Sequence, residues 1–171
     1  MKQFLFTILI SIQLFASLEE IVSFEADFTQ SITDEKDKVL IYNGHVTALK
    51  PQNAKWSYTK PVHKDVYINN FEVTIVEPEI EQVLIKRLKS NFDFFKIISN
   101  AKKIDENVYT AYYRDSKFSI VKNGNLIESI SYLDEFENKV TITFKNQKQN
   151  HDLDKSLFTP SFPLEFDIIR D

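Results

Sequence analysis

Apolar and polar residues alternate with a period of two in a series of short runs along this chain, each run ended by a turn signal, and few architectures satisfy that pattern. In the first run Phe24, Ala26 and Phe28 fall on one face while Glu25, Asp27 and Thr29 fall on the other. This is the mark of a half-buried antiparallel strand. A charged turn, Asp34 to Lys38, separates it from a second run, Val39 to Leu49, so the pair reads as a hairpin. Asn43-Gly44 lies inside that second run, where it predicts a bulge or a close backbone approach rather than a turn.

Further strands are expected at Lys55 to Tyr58, Asp65 to Ile68, Glu72 to Val76, Gln82 to Leu88, Val108 to Tyr113, Phe118 to Val121, Leu126 to Tyr132 and Val140 to Phe144. Leu164, Phe166 and Ile168 form a last one. Asn123-Gly124 between two apolar runs is the strongest hairpin turn. About 10 to 11 evenly spaced strands predict a mainly β barrel or sandwich. The 15 Phe and 7 Tyr, against 2 Gly, supply large apolar interior surfaces.

The period changes once. From Asn91 to Asn100, Phe92, Phe95 and Ile98 together with Phe94 and Ile97 make a broad helical stripe, with Ser90 as the candidate cap. This predicts a short amphipathic helix inserted into the strand series.

At the N-terminus Lys2 precedes an apolar run from Phe4 to Phe15 that ends at Ala16, the pattern of a secretory signal peptide over residues 1–16. The run is too short for a spanning helix, which needs about 20 apolar residues. Residues 17–171 are then expected to form a single soluble, exported domain. With no cysteine the chain has no disulfide, no thiol chemistry and no acceptor for its own lipidation. A net charge of -4 argues against a nucleic-acid or anionic surface as partner.

Nothing in the sequence marks a catalytic centre. His45, His63 and His151 are far apart and lack metal-ligand spacing. The carboxylates fall largely in turns, as at Asp134, Glu135 and Glu137, and two isolated glycines make no phosphate loop. No enzyme, metal or cofactor is expected.

Three stretches in order carry a resemblance: Phe24-Glu25-Ala26-Asp27-Phe28-Thr29-Gln30, then Pro51 through Trp56 and Tyr58 to Pro61, then Glu77-Pro78-Glu79-Ile80-Glu81-Gln82-Val83. Together they resemble the outer-membrane lipoprotein carrier family (LolA type). The resemblance implies an incomplete, unclosed antiparallel β-barrel with a lid of short helices, here Leu18 to Val22 and Asn91 to Asn100, over a hydrophobic cavity. It implies cavity residues Phe24, Ala26, Phe28, Trp56, Tyr58, Val83 and Ile85, and lid residues Phe92, Phe95 and Ile98. The family often carries an Arg that latches the lid just before the first of those prolines. Here Lys50 occupies that place, keeping the charge without the bidentate fork. The family's usual Gly near Pro163 is also missing.

By the same resemblance the chain is expected to be a monomeric periplasmic chaperone that takes acylated lipoproteins from an ABC-type release complex in the inner membrane. It would deliver them to the outer membrane, through a receptor where the organism has one. The alternative is a lipid- or lipoprotein-sensing periplasmic module on the same half-barrel.

Overall fold

A computed structural model describes residues 17–69, 71–87 and 93–170. The expected signal peptide and Phe92 lie outside the described residues.

The chain enters the sheet at its middle. From β1 (Ser23–Thr33) it runs outward through β2 (Val39–Leu49), β3 (Asn53–Lys60), β4 (Lys64–Asn69), β5 (Glu72–Glu77) and β6 (Gln82–Arg87), each antiparallel to the one before. It then crosses, through α1 (Phe94–Ser99), to the opposite edge at β7 (Lys102–Lys103). From there β8 (Val108–Tyr113), β9 (Ser116–Asn123), β10 (Leu126–Leu133) and β11 (Lys139–Gln149) lead back, and β11 pairs with β1. A last strand, β12 (Asp167–Arg170), joins the far edge beside β6. The result is one twelve-stranded sheet with β12 and β7 at its open edges. α1 lies over the face that carries Phe24, Ala26 and Phe28, where Phe94 packs on Phe24.

Three register shifts bend the sheet, at Glu25/Asp27 between β1 and β11, at Asn43/Gly44 between β2 and β3, and at Ile127/Ser129 between β9 and β10. Bulges of this kind add local twist and curl a sheet toward a barrel. The second is the one foreshadowed by Asn43-Gly44. A Cβ on Gly44 would overlap the Ser57 carbonyl oxygen and stand 2.7 Å from the Phe28 ring, so only glycine fits. Gly124, at φ +59°, makes the expected tight turn between β9 and β10.

Several expectations need correction. The sheet has twelve strands rather than ten or eleven, because the two-residue β7 leaves no sequence signal. The final strand starts at Asp167, not Leu164, and pairs parallel with β6; Leu164 is 99% exposed and belongs to no buried face. The helix begins at Phe94 and its cap is Asp93, whose carboxylate accepts the Lys96 N–H at 3.0 Å, not Ser90. Near the N-terminus the expected helix Leu18 to Val22 is a single 3-10 turn, Leu18–Glu20.

Candidate lipid cavity and its lid

Along β1 the inward residues Phe24, Ala26 and Phe28 are all buried, as their alternation predicts. The register of β1, β2 and β3 carries that face across to Trp56 and Tyr58. Phe28 meets both rings edge-on, at 5.0 Å from Trp56 and 5.1 Å from Tyr58. From the other half of the sheet Phe144 closes on Phe24 at 5.2 Å. The concave wall is therefore aromatic on both sides of β1. Burial, with Tyr132 and Tyr42 close by, pushes the Tyr58 phenol up to about 12, so this hydroxyl stays protonated at any physiological pH.

α1 is only six residues long, yet Phe94, Phe95, Ile97 and Ile98 are all buried in the same cluster. Phe94 packs on Phe24 at 5.1 Å. Ile21, just after the N-terminal 3-10 turn, is 1% exposed in that cluster too. The gap left between α1 and the β3–β4 wall, by Ala54, Ile68, Phe94 and Phe95, is about 10 Å³, too small for an acyl chain. The lid is closed.

Lys50 touches both segments that cover the wall, the N-terminal turn and α1. Its Nζ donates to the Glu19 carbonyl of the N-terminal turn at 2.9 Å and stands 5.8 Å from the centre of the Phe95 ring. Gln52 adds a second tie, donating from Nε2 to the Asp93 cap carboxylate at 3.1 Å.

The sequence-based site is thus brought together in part. Phe24, Ala26, Phe28, Trp56, Tyr58, Phe95 and Ile98 share one cluster, and Lys50 reaches it. Val83 and Ile85 do not. They lie on the opposite, convex face, packed with Tyr67 and Val76 under Phe162 and Phe166 of the C-terminal segment. The reason is parity, since Val83 pairs with Val76 and Ile85 with Thr74, whereas Leu84 pairs with Ile75 on the concave side. The concave positions missed include Phe118, Ile120, Ile142 and Phe144; the alternation of Val140, Ile142 and Phe144 was a usable signal, but its partner strand was not.

Two of the three histidines also meet, on the convex face beside Glu25. His151 Nε2 lies 3.0 Å from Glu25 Oε2, His45 Nε2 lies 3.6 Å from Oε1, and His45 Nδ1 lies 2.8 Å from Asp27. Burial works to raise the Glu25 carboxyl, but the hydrogen bond to His151 and the charges of Lys148 and the two histidines together hold it below its ordinary 4.5. Among the described residues no group of three or more His, Cys, Asp and Glu is arranged to hold a metal ion.

The fold is an open half-barrel whose concave aromatic wall is covered by a short apolar helix. The sequence model of the outer membrane lipoprotein carrier protein LolA matches residues 19–117. An outer-membrane lipoprotein carrier protein of Campylobacter jejuni is 38% identical over 99% of both chains. One of Wolinella succinogenes is 33% identical over 91% of both. The crystal structure of a LolA superfamily protein from Nitrosomonas europaea superposes with a TM-score of 0.50 at 11% identity, covering 82% of this chain and 91% of that one, and so shares the fold. This chain belongs to the outer-membrane lipoprotein carrier family.

Proposed function

We propose that the protein is a periplasmic chaperone that shields the acyl anchor of lipoproteins between the inner and outer membranes. The observation that carries this reading is α1, with four buried apolar side chains on six residues, laid over an aromatic wall. An anchor of three acyl chains has on the order of forty methylenes, and at about 0.8 kcal/mol each its exposure to water costs up to roughly 30 kcal/mol. Each buried Phe or Ile of α1 is worth about 1.5–3 kcal/mol on the same scale. Opening the lid therefore costs less than sheltering the anchor gains, and the empty cavity can close again after delivery. The wall residues are Phe24, Ala26, Phe28, Trp56 and Tyr58, the lid residues Phe95 and Ile98, and the latch Lys50.

The chemistry is binding and release rather than turnover. Residues 1–16 direct export, and the mature monomer receives cargo from an ABC-type release complex of the inner membrane. The test is to mix the mature protein with inner-membrane vesicles bearing labelled lipoproteins, the release complex and ATP. A soluble one-to-one complex with lipoprotein is expected. A folded protein that releases nothing and takes up no acylated peptide overturns the reading.

A further inference from the structure

The concave wall does not stay apolar along its whole length. Six residues beyond Phe24 on β1, about 20 Å along an extended strand, Gln30 faces the cavity opposite Tyr42 of β2. Tyr58 of β3 donates its hydroxyl to Gln30 Oε1 at 3.0 Å and meets Tyr42 edge-on at 5.9 Å. Lys64, paired with Tyr58 across β3 and β4, holds its Nζ 4.9 Å from the Tyr58 ring centre and 5.8 Å from that of Tyr42. From the other half of the sheet Tyr132 packs on Phe118 at 4.9 Å. Tyr132, paired with Val140 across β10 and β11, faces the same side of the sheet and, like Tyr58, packs against the one concave cluster.

These five side chains offer more donors than they consume. Tyr58 spends its proton on Gln30, but Gln30 Nε2 and the Tyr132 hydroxyl have no hydrogen-bond partner among the described residues. Lys64 brings an ammonium beside them. An aliphatic chain has no use for such groups. The linkages of a lipoprotein anchor do, because two glyceryl esters and one amide present carbonyl oxygens that lose their water on entering the cavity. A carbonyl so buried without a donor is penalised, and an ester carries no donor of its own.

We propose that Gln30, Tyr42, Tyr58, Lys64 and Tyr132 form a polar subsite that binds the ester and amide carbonyls of the anchor, with the acyl tails running from it toward α1. The assignment rests on the carrier reading and adds orientation to it. Cargo enters tails first beneath the lid, and its protein moiety leaves at the end of the half-barrel remote from α1.

Two synthetic probes on one short peptide separate this subsite from general lipid shielding: a tripalmitoyl-S-glyceryl-cysteine lipopeptide, and its counterpart with both glyceryl esters replaced by ethers of the same chain length. The mature protein is expected to bind the ester probe about five- to tenfold more tightly, the worth of one net hydrogen bond or slightly more. In a Gln30→Leu/Tyr132→Phe double variant the two probes should bind within about twofold of each other, and Tyr132→Phe alone should give an intermediate ratio. Equal affinities in the unaltered protein, or a preference that survives in the folded double variant, overturn the subsite. If the unaltered, folded protein binds neither probe, the carrier reading falls and the subsite with it.

Discussion

Both faces of the sheet are covered by segments from outside it, and the two covers are fastened differently. On the concave face α1 and the N-terminal turn contribute buried apolar side chains; α1 is tied by the side-chain bond from Gln52 to Asp93, and the N-terminal turn by Lys50 to Glu19, with Val22 after it held by the Lys50 N–H and the Asn150 side chain. On the convex face the C-terminal segment ends in a backbone ladder, from Asp167 opposite Gln82 to Arg170 opposite Ile85. It is pinned further by Asn69 donating to the Phe158 carbonyl at 2.8 Å and Asp167 N–H donating to Glu81 at 2.8 Å. An apolar cover held by a few side chains can be exchanged for other apolar matter, since its burial energy has no direction. A cover held by a ladder cannot leave without orphaning backbone groups. The first suits a lid and the second a brace.

Substitutions on the two faces test that contrast. Val83→Asp puts a carboxylate where the side chain is 0% exposed beneath the brace. It should cost about 3–5 kcal/mol of global stability, read from urea unfolding followed by far-ultraviolet circular dichroism. Phe95→Glu puts the same kind of charge under the lid, where α1 can swing out instead. Lipoprotein uptake should then be lost while the unfolding midpoint of the sheet moves by less than about 1 kcal/mol. If Phe95→Glu unfolds the sheet as Val83→Asp does, the lid is not separable and the comparison fails.

Lys50→Met sharpens the account of the latch. Losing the Glu19 bond and the contact with Phe95 should favour the open lid by about 1 kcal/mol. Hydrogen exchange in α1 should speed up about fivefold, with exchange in β4 to β6 unchanged and Lys50→Arg restoring protection. Uniform acceleration across the sheet would make Lys50 a structural residue rather than a latch.

The smallest effect concerns the convex charges. Glu25 titrates lower in the folded chain than its ordinary 4.5, so the stability it contributes is complete above that pH and is lost as pH falls through the folded value. Glu25→Gln should therefore flatten this part of the acid limb of a stability–pH curve. A variant whose acid limb runs parallel to that of the unaltered protein would show that the His151 and Lys148 contacts contribute nothing in solution.

Much of the fold was legible because its signals are local. The alternation of Phe24, Ala26 and Phe28 marked a strand and its buried face, Asn123-Gly124 marked a turn, and the Phe–Ile stripe marked α1. Val83 and Ile85 were misplaced because β6 is apolar at three successive positions, Val83, Leu84 and Ile85, so no alternation marks which face is which. Lys50 was singled out only by family resemblance, since nothing local to a lysine before a proline says that it will reach the Glu19 carbonyl. His45 and His151, 106 positions apart in sequence, meet through the pairing of β1 with β2 and β11.

The amino-acid sequence by itself thus determined where strands, turns and the one amphipathic helix lie, because steric preference and hydrophobic period act over a few residues. Only the tertiary structure decided which apolar face of each strand lies under α1 and which lies under the C-terminal segment, how Gln30, Tyr58 and Tyr132 came to one face of the sheet, and that Lys50 would hold the Glu19 carbonyl. Those outcomes depend on strand register and on bulges such as the one at Gly44, which pair residues tens of positions apart, and no local preference encodes the partner.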